Sequence, residues 1–142
     1  MTPHAAARIM VVDDSPTIRE LIALNLSLEG YVVVTASDGE ECLRQLADIL
    51  EGKAPLPQLL MLDVVMPGLD GVELTARLKA TPAVQHIPIL IVSASAQRRD
   101  FELAQGAGAD GYLTKPFDPD ELLTEVRRLL ALAPTPGVDA SP

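Results

Sequence analysis

Short apolar runs and amphipathic stretches take turns along the chain. The runs are "RIMVV" (8–12), "YVVVT" (31–35), "QLLML" (58–62), "IPILIV" (87–92) and "GYLT" (111–114). They are brief, rich in Val, Ile and Leu, and several show no polar–apolar alternation. That pattern predicts strands covered on both faces, as in a parallel sheet.

Helical spacing fills the gaps between them. Ser15 caps a helix that starts at Pro16, with Ile18, Leu21, Ile22 and Leu28 on one side. Leu43, Leu46, Ala47 and Leu50 follow the i, i+3, i+4, i+7 rule. Leu74 and Leu78 lie one turn apart in the segment 70–80. "DPDELLTEVRRLLAL" opens with Asp118 as cap, Pro119 at the first position and Glu121 three residues after the cap, a capping-box-like start. Its stripe is Leu122, Val126, Leu129 and Leu130. The segment 96–107 is the weakest helix: Phe101 and Ala104 face one way, while Gly106 and Gly108 thin its end.

Five strands strictly alternating with five helices predict an α/β fold with a parallel sheet and right-handed crossovers. The domain is expected over residues 8–132. Residues 1–7 read as a flexible N-terminus. The tail "APTPGVDASP" (133–142), with three prolines and little apolar periodicity, reads as a disordered end or a linker stub.

Composition narrows the function. The chain has 142 residues, which suits one domain, and 48% of them are apolar, enough for a core. Aromatics are 3%, so that core must come from aliphatic side chains. The 20 acidic and 11 basic residues leave a net charge of −9, which argues against nucleic-acid binding by this domain. One cysteine, Cys42, excludes an internal disulfide and a cysteine-based zinc site; its apolar helical setting predicts an inert buried thiol. No apolar run approaches the about 18 residues of a membrane span, and "MTPHAAARIM" lacks the apolar segment of a signal peptide. The expectation is a cytoplasmic protein with no membrane contact.

Polar residues fall where an open α/β sheet binds ligands, at the carboxyl ends of its strands. Asp13 and Asp14 follow the first strand, Asp63 the third, Ser93 the fourth, and Lys115-Pro116 the fifth. Taken singly, each residue has a bland reading. The two adjacent acids could cap a helix, Asp63 could precede the Pro67-Gly68 turn, and Ser93 and Lys115 could be a loop hydroxyl and a surface charge. Together they place three carboxylates in one crevice, where they repel unless a hard cation such as Mg²⁺ joins them. A lysine and a hydroxyl alongside are groups that bind phosphoryl oxygens. The set is suited to holding a phosphoryl group beside a metal, with Asp63, which stands alone at its strand end, as the candidate nucleophile.

The segments "VVDDSP", "LLMLDVVMPGLDG", "IVSAS" and "GADGYLTKPF" resemble, in the right order, the signatures of the receiver domain of two-component response regulators. The resemblance spans residues 8 to about 131. It implies a flavodoxin-like (βα)5 doubly wound parallel sheet with strand order 2-1-3-4-5. Residue by residue, it makes Asp63 the phosphoacceptor and Asp14 a direct Mg²⁺ ligand. Asp13 would hold the metal partly through water, and Val65 would offer its backbone carbonyl. Ser93 corresponds to the switch hydroxyl and Tyr112 to the switch aromatic. Lys115 corresponds to the phosphoryl-pairing lysine, with a cis bond into Pro116. Its implied partners are a sensor histidine kinase or a histidine phosphotransfer protein, and a downstream protein that the sequence does not identify.

His4 and His86 match no role in this family. Arg127 and Arg128 fit solvated faces, as do Arg98 and Arg99, which also fall near a surface such domains use for partners. The expected activity is signalling with self-catalysed phosphotransfer and dephosphorylation, not turnover. Three alternatives stay open. One is a phosphorylation-independent interaction module with the same fold. Another is the receiver piece of a larger regulator. The last is a small metal-dependent phosphatase, which the lack of an acid at position 65 disfavours.

Overall fold

The computed structural model describes residues 6–132. His4, most of the expected N-terminal arm and the tail 133–142 lie outside that range. Ten elements alternate without exception: β1 (Arg8–Val12), α1 (Pro16–Leu28), β2 (Val32–Ala36), α2 (Gly39–Leu50), β3 (Leu59–Asp63), α3 (Gly71–Lys79), β4 (Ile89–Ser93), α4 (Arg98–Ala107), β5 (Gly111–Thr114) and α5 (Pro119–Leu130). The strands form one parallel sheet in the order β2-β1-β3-β4-β5. The flavodoxin-like arrangement is therefore present.

The unbroken apolar runs now have a physical account. In β1, β3 and β4, successive side chains enter two different cores. Met10, Val12, Leu60, Leu62, Ile89 and Ile91 pack with Cys42, Leu46, Leu74, Leu78 and Ala104 of α2, α3 and α4. Ile9, Val11, Leu59, Met61, Leu90 and Val92 pack with Ile22, Leu26, Leu122, Val126 and Leu129 of α1 and α5. Neither face meets water, so neither needs polar residues. Each such side chain, once fully buried, contributes about 1.5–3 kcal/mol of transfer free energy.

Helix starts are set by local chemistry. Ser15, Asp38, Asp70 and Asp118 accept from backbone N–H groups of the first turns of α1, α2, α3 and α5, and Asp118 with Glu121 completes a reciprocal capping box. α4 has no side-chain cap of this kind at Gln97 and ends on Gly108, whose φ of 108° is left-handed.

Two expected stripes shift. On α1 the buried positions are Ile22 and Leu26, whereas Leu21 and Leu28 are exposed. On α2 the buried face runs through Cys42 and Leu46, and Leu50 is exposed. Both helices carry leucines on more than one side, and the apolar pattern alone could not say which side meets the sheet. Cys42 is fully buried, and burial pushes its thiol up to about 12.

Candidate functional site

Parallel register assembles the site. Val12 pairs with Leu62, so Asp13 comes alongside Asp63. Asp63 itself is the last residue of β3 and pairs with Val92, and Ser93 is the last of β4 and pairs with Thr114. Three backbone bonds extend the sheet past its regular end: Asp13 N–H donates to the Ala36 carbonyl at 3.2 Å, Val64 N–H to the Val92 carbonyl at 3.3 Å, and Lys115 N–H to the Ser93 carbonyl at 2.7 Å.

Side-chain parity then sorts the residues. Asp13 continues the alternation of Ile9 and Val11, Asp63 that of Leu59 and Met61, and Lys115 that of Leu113; all of these belong to the α1/α5 face. Ser93 continues Ile89 and Ile91 on the opposite face, where Tyr112 also packs. Two adjoining groups result, one ionic and one hydroxylic.

In the ionic group, Lys115 Nζ donates to Asp63 Oδ1 at 3.0 Å and lies 3.4 Å from Asp13 Oδ2. Asp13 and Asp63 are 2% and 7% exposed, so this contact is shielded from solvent. Asp13 is further fixed because its Oδ1 accepts from Ser15 N–H at 2.8 Å and its carbonyl accepts from the Arg19 guanidinium at 2.6 Å. Asp14 is exposed and completes the trio. One carboxylate oxygen from each of Asp13, Asp14 and Asp63 lies within 4.8 Å of the others.

Electrostatics follow from this crowding. Burial pushes the Asp63 carboxyl above the ordinary aspartate value; the Lys115 bond opposes that, and the charges of Asp13 and Asp14 add to it. For Lys115, burial works against the ammonium, but the bond to Asp63 and the charge of Asp13 outweigh it and the pKa is raised. One lysine thus faces three acids. Three hard oxygen donors in close reach with a charge deficit fit a divalent cation of the Mg²⁺ type.

In the hydroxylic group, Ser93 is buried and its hydroxyl accepts from Ser95 N–H at 3.0 Å. The Ser95 hydroxyl donates to the Asp100 carboxylate on α4 and accepts from Gln97 N–H at 3.2 Å. The latter bond holds the backbone of Gln97, the residue from which α4 starts. Tyr112 packs edge-on against Phe101, ring centres 5.6 Å apart.

The turn from β3 to α3 depends on a residue with no side chain. A Cβ on Gly71 would stand 2.2 Å from the Asp63 carbonyl oxygen. That close approach lets α3 begin against the end of β3, and Gly71 N–H closes the turn on the Val64 carbonyl at 3.0 Å.

All the site residues expected from the sequence are placed. Asp13, Asp14, Asp63 and Lys115 come together; Ser93 and Tyr112 lie in the adjoining network; the Lys115–Pro116 bond is cis. Val65 is 76% exposed on the loop beyond Asp63. His86 is exposed and apart from these groups. Arg98 is paired with Glu102 on α4 at 3.7 Å, and Arg127 and Arg128 with Glu29 and Glu125. Arg19, Gly71 and Asp100 were not singled out from sequence. Their polar or small character is common on loops and helix starts, so spacing carries no signal for them.

The family model for the response regulator receiver domain matches residues 9–127. The chain belongs to the response regulator receiver family. This receiver is 41% identical over 123 residues to the DNA-binding dual master transcriptional regulator RpaA of Synechocystis sp., covering 87% of this chain and 48% of that protein. The receiver thus spans about half the length of the curated relatives it matches. Among solved structures it resembles a putative response regulator from Chloroflexus aurantiacus, with TM-score 0.82 and 36% identity over 89% of this chain and 99% of that one. It also resembles TrrA of Thermotoga maritima, solved in complex with Mg²⁺-BeF, with TM-score 0.73 and 36% identity over 87% of this chain and 98% of that one. Receivers of this family are signalling domains. Among the described residues no helix is long and apolar enough to cross a membrane.

Proposed function

We propose that this receiver accepts a phosphoryl group on Asp63 from the phosphohistidine of a histidine kinase or phosphotransfer protein, and relays the event through its β4–α4 region. The observation that carries this reading is the Asp63 carboxylate, 7% exposed and bonded to Lys115 within an acidic trio that, among the described residues, no second side-chain cation pairs with.

Asp63 attacks the phosphorus in line with the donor nitrogen. One P–O bond forms, the P–N bond breaks, and its electron pair stays on the donor imidazole. Asp13, Asp14 and Asp63, with the Val65 carbonyl, would hold Mg²⁺, which when bound supplies positive charge against the carboxylates and the phosphoryl oxygens. Lys115 stays within reach of Asp63 and pairs with an oxygen of the new acyl phosphate. The single charge of the Asp63 carboxylate is thereby replaced by the roughly −1.5 to −2 of a phosphoryl group, a net gain of about one negative charge at most, together with new acceptor oxygens.

The Ser93 hydroxyl turns toward those oxygens and gives up its bond from Ser95. Tyr112 and α4 then settle into a second arrangement that is already sampled before phosphorylation. The same cup positions water for loss of the phosphoryl group, so the domain catalyses its own gain and loss of phosphate without being a turnover enzyme. The contacts of this domain itself are with proteins, since its net charge of −9 repels nucleic-acid phosphates. A kinase partner of this kind sets the domain in the cytoplasm. The intact set of three acids, lysine and hydroxyl disfavours a phosphorylation-independent module.

The test is labelling by radioactive acetyl phosphate. We expect Mg²⁺-dependent incorporation that chelation with EDTA prevents and Asp63→Asn abolishes. Undiminished labelling of Asp63→Asn would move the acceptor elsewhere.

A further inference from the structure

Beside the acidic cup, between the loop after β3, the start of α3 and the start of α4, lies a groove of about 660 Å³. Its walls are chiefly apolar. Val65 and Leu103, 76% and 54% exposed, line it together with Val72. Asp70, Glu73 and Asp100 also line it, and no lysine or arginine does. Among the described residues none of these three acids is in an ion pair. Asp70 and Asp100 each have one carboxylate oxygen engaged within the protein, while the Glu73 carboxylate has no hydrogen-bond donor among the described residues.

We infer that this groove is a docking surface for a segment of a partner protein in which arginines or lysines flank an apolar side chain. The apolar member covers Val65, Val72 and Leu103 and removes exposed hydrocarbon from water. The cations meet Asp70, Glu73 and Asp100, which gives orientation and speeds encounter. Like charge excludes nucleic acid, and a second copy of this chain, also at net charge −9, is the poorer occupant.

The floor of the groove includes Ser93 and Ser95. A change in the Ser93–Ser95 hydrogen bond therefore alters the surface the partner touches. This link rests on the phosphoacceptor reading; the docking itself does not.

The test uses the full chain and a short fluorescein-labelled peptide in which arginines flank leucines, read by fluorescence anisotropy. Controls replace arginine by glutamate, or leucine by serine. Wild type is expected to bind the Arg/Leu peptide and neither control. Glu73→Lys and Leu103→Glu each weaken binding by about tenfold or more, roughly 1.4 kcal/mol. Glu20→Lys on α1, an exposed acid outside the groove with the same charge change, leaves binding within about twofold. Circular dichroism verifies that each variant is folded.

Equal losses in Glu20→Lys and Glu73→Lys mean non-specific attraction and overturn the inference. So does insensitivity to Leu103→Glu. A concentration-dependent dimer that Leu103→Glu abolishes overturns the stated partner in favour of a second copy. Adding Mg²⁺ and beryllofluoride is expected to change the peptide affinity of wild type by at least about threefold, on the order of 0.65 kcal/mol. Peptide binding that persists unchanged in a protein that also fails to label with acetyl phosphate overturns the phosphoacceptor reading and the link, and supports docking alone.

Discussion

Tyr112 donates its phenolic hydroxyl to the backbone carbonyl of Ser95, 2.8 Å away. This bond crosses from β5 to the loop that leads into α4. Ser95 thus serves four neighbours: Tyr112 through its carbonyl, Ser93 through its N–H, and Asp100 and Gln97 through its hydroxyl. Whatever moves Ser93 is felt by the tyrosine and by the helix.

Removing only that hydroxyl isolates its contribution. Tyr112→Phe keeps the ring against Phe101 and the core around it, so the loss is one partly buried hydrogen bond, about 0.5–1.5 kcal/mol. Urea denaturation is expected to show a lower midpoint with unchanged slope. The variant should also blunt the spectral response of α4 residues to beryllofluoride. A midpoint equal to wild type would mean the bond is not formed in solution.

Asp63 gives a pH-dependent prediction. Its carboxyl is raised above the ordinary aspartate value, so the native state holds that proton more tightly than the unfolded chain. The contribution to stability is therefore favourable at pH below the unfolded value and is lost as pH rises through the folded value. At neutral pH without metal, Asp63→Asn removes a buried charge next to Asp13 and should raise the thermal midpoint. The gain should shrink as pH falls into the carboxylate range. Adding Mg²⁺ should narrow it from the other side, because wild type gains a ligand that Asp63→Asn holds less well. An Asn variant less stable than wild type at pH 7 without metal would contradict this.

Gly71 reports on the backbone under the acceptor. The Cβ of Gly71→Ala cannot stand 2.2 Å from the Asp63 carbonyl oxygen, so β3 or α3 must shift. The cost is expected at the upper end of overpacking, about 3 kcal/mol, with weakened Mg²⁺ binding. A fully stable variant would show that the turn relaxes freely.

α1 begins directly after the acidic pair and exposes Leu21, Leu24 and Leu28 along one side, at 54%, 58% and 74%. An apolar stripe beside the acceptor is a natural seat for the phosphodonor protein. The double change Leu21→Asp and Leu24→Asp should slow transfer from a phosphorylated histidine kinase by about tenfold or more, roughly 1.4 kcal/mol. It should leave labelling by acetyl phosphate unaffected, since the cup is untouched. Equal loss with both donors would point to misfolding instead.

The sheet and the site were legible because both rest on short-range signals. Alternating runs predicted every element, and strand ends predicted which polar residues would converge. The apolar runs begin at Tyr31, Gln58 and Ile87, one or two residues before the strands themselves. Apolar or amphipathic residues entering the core look like strand, yet Tyr31 N–H still bonds back to Leu26 of α1 and Ile87 N–H to Val84. As a result Asp63 and Ser93 close their strands rather than follow them. The stripe of α1 was misjudged for a different reason: Leu21 and Leu28 look like core leucines in sequence, and exposure is decided by how the helix rolls on the sheet. The division between the ionic and hydroxylic groups depends on parity at strand ends, and the Ser95–Asp100–Tyr112 network on contacts between distant segments; spacing alone encodes neither.

The central claim is that the side chain at 63 takes the phosphoryl group. An acyl phosphate on aspartate is reduced by borohydride to homoserine. Wild-type protein treated with acetyl phosphate and Mg²⁺, then borohydride, and mapped by peptide mass spectrometry should carry homoserine at position 63, absent when EDTA is present. Homoserine at position 13 or 14, or none anywhere in a protein shown to be phosphorylated, would contradict the account.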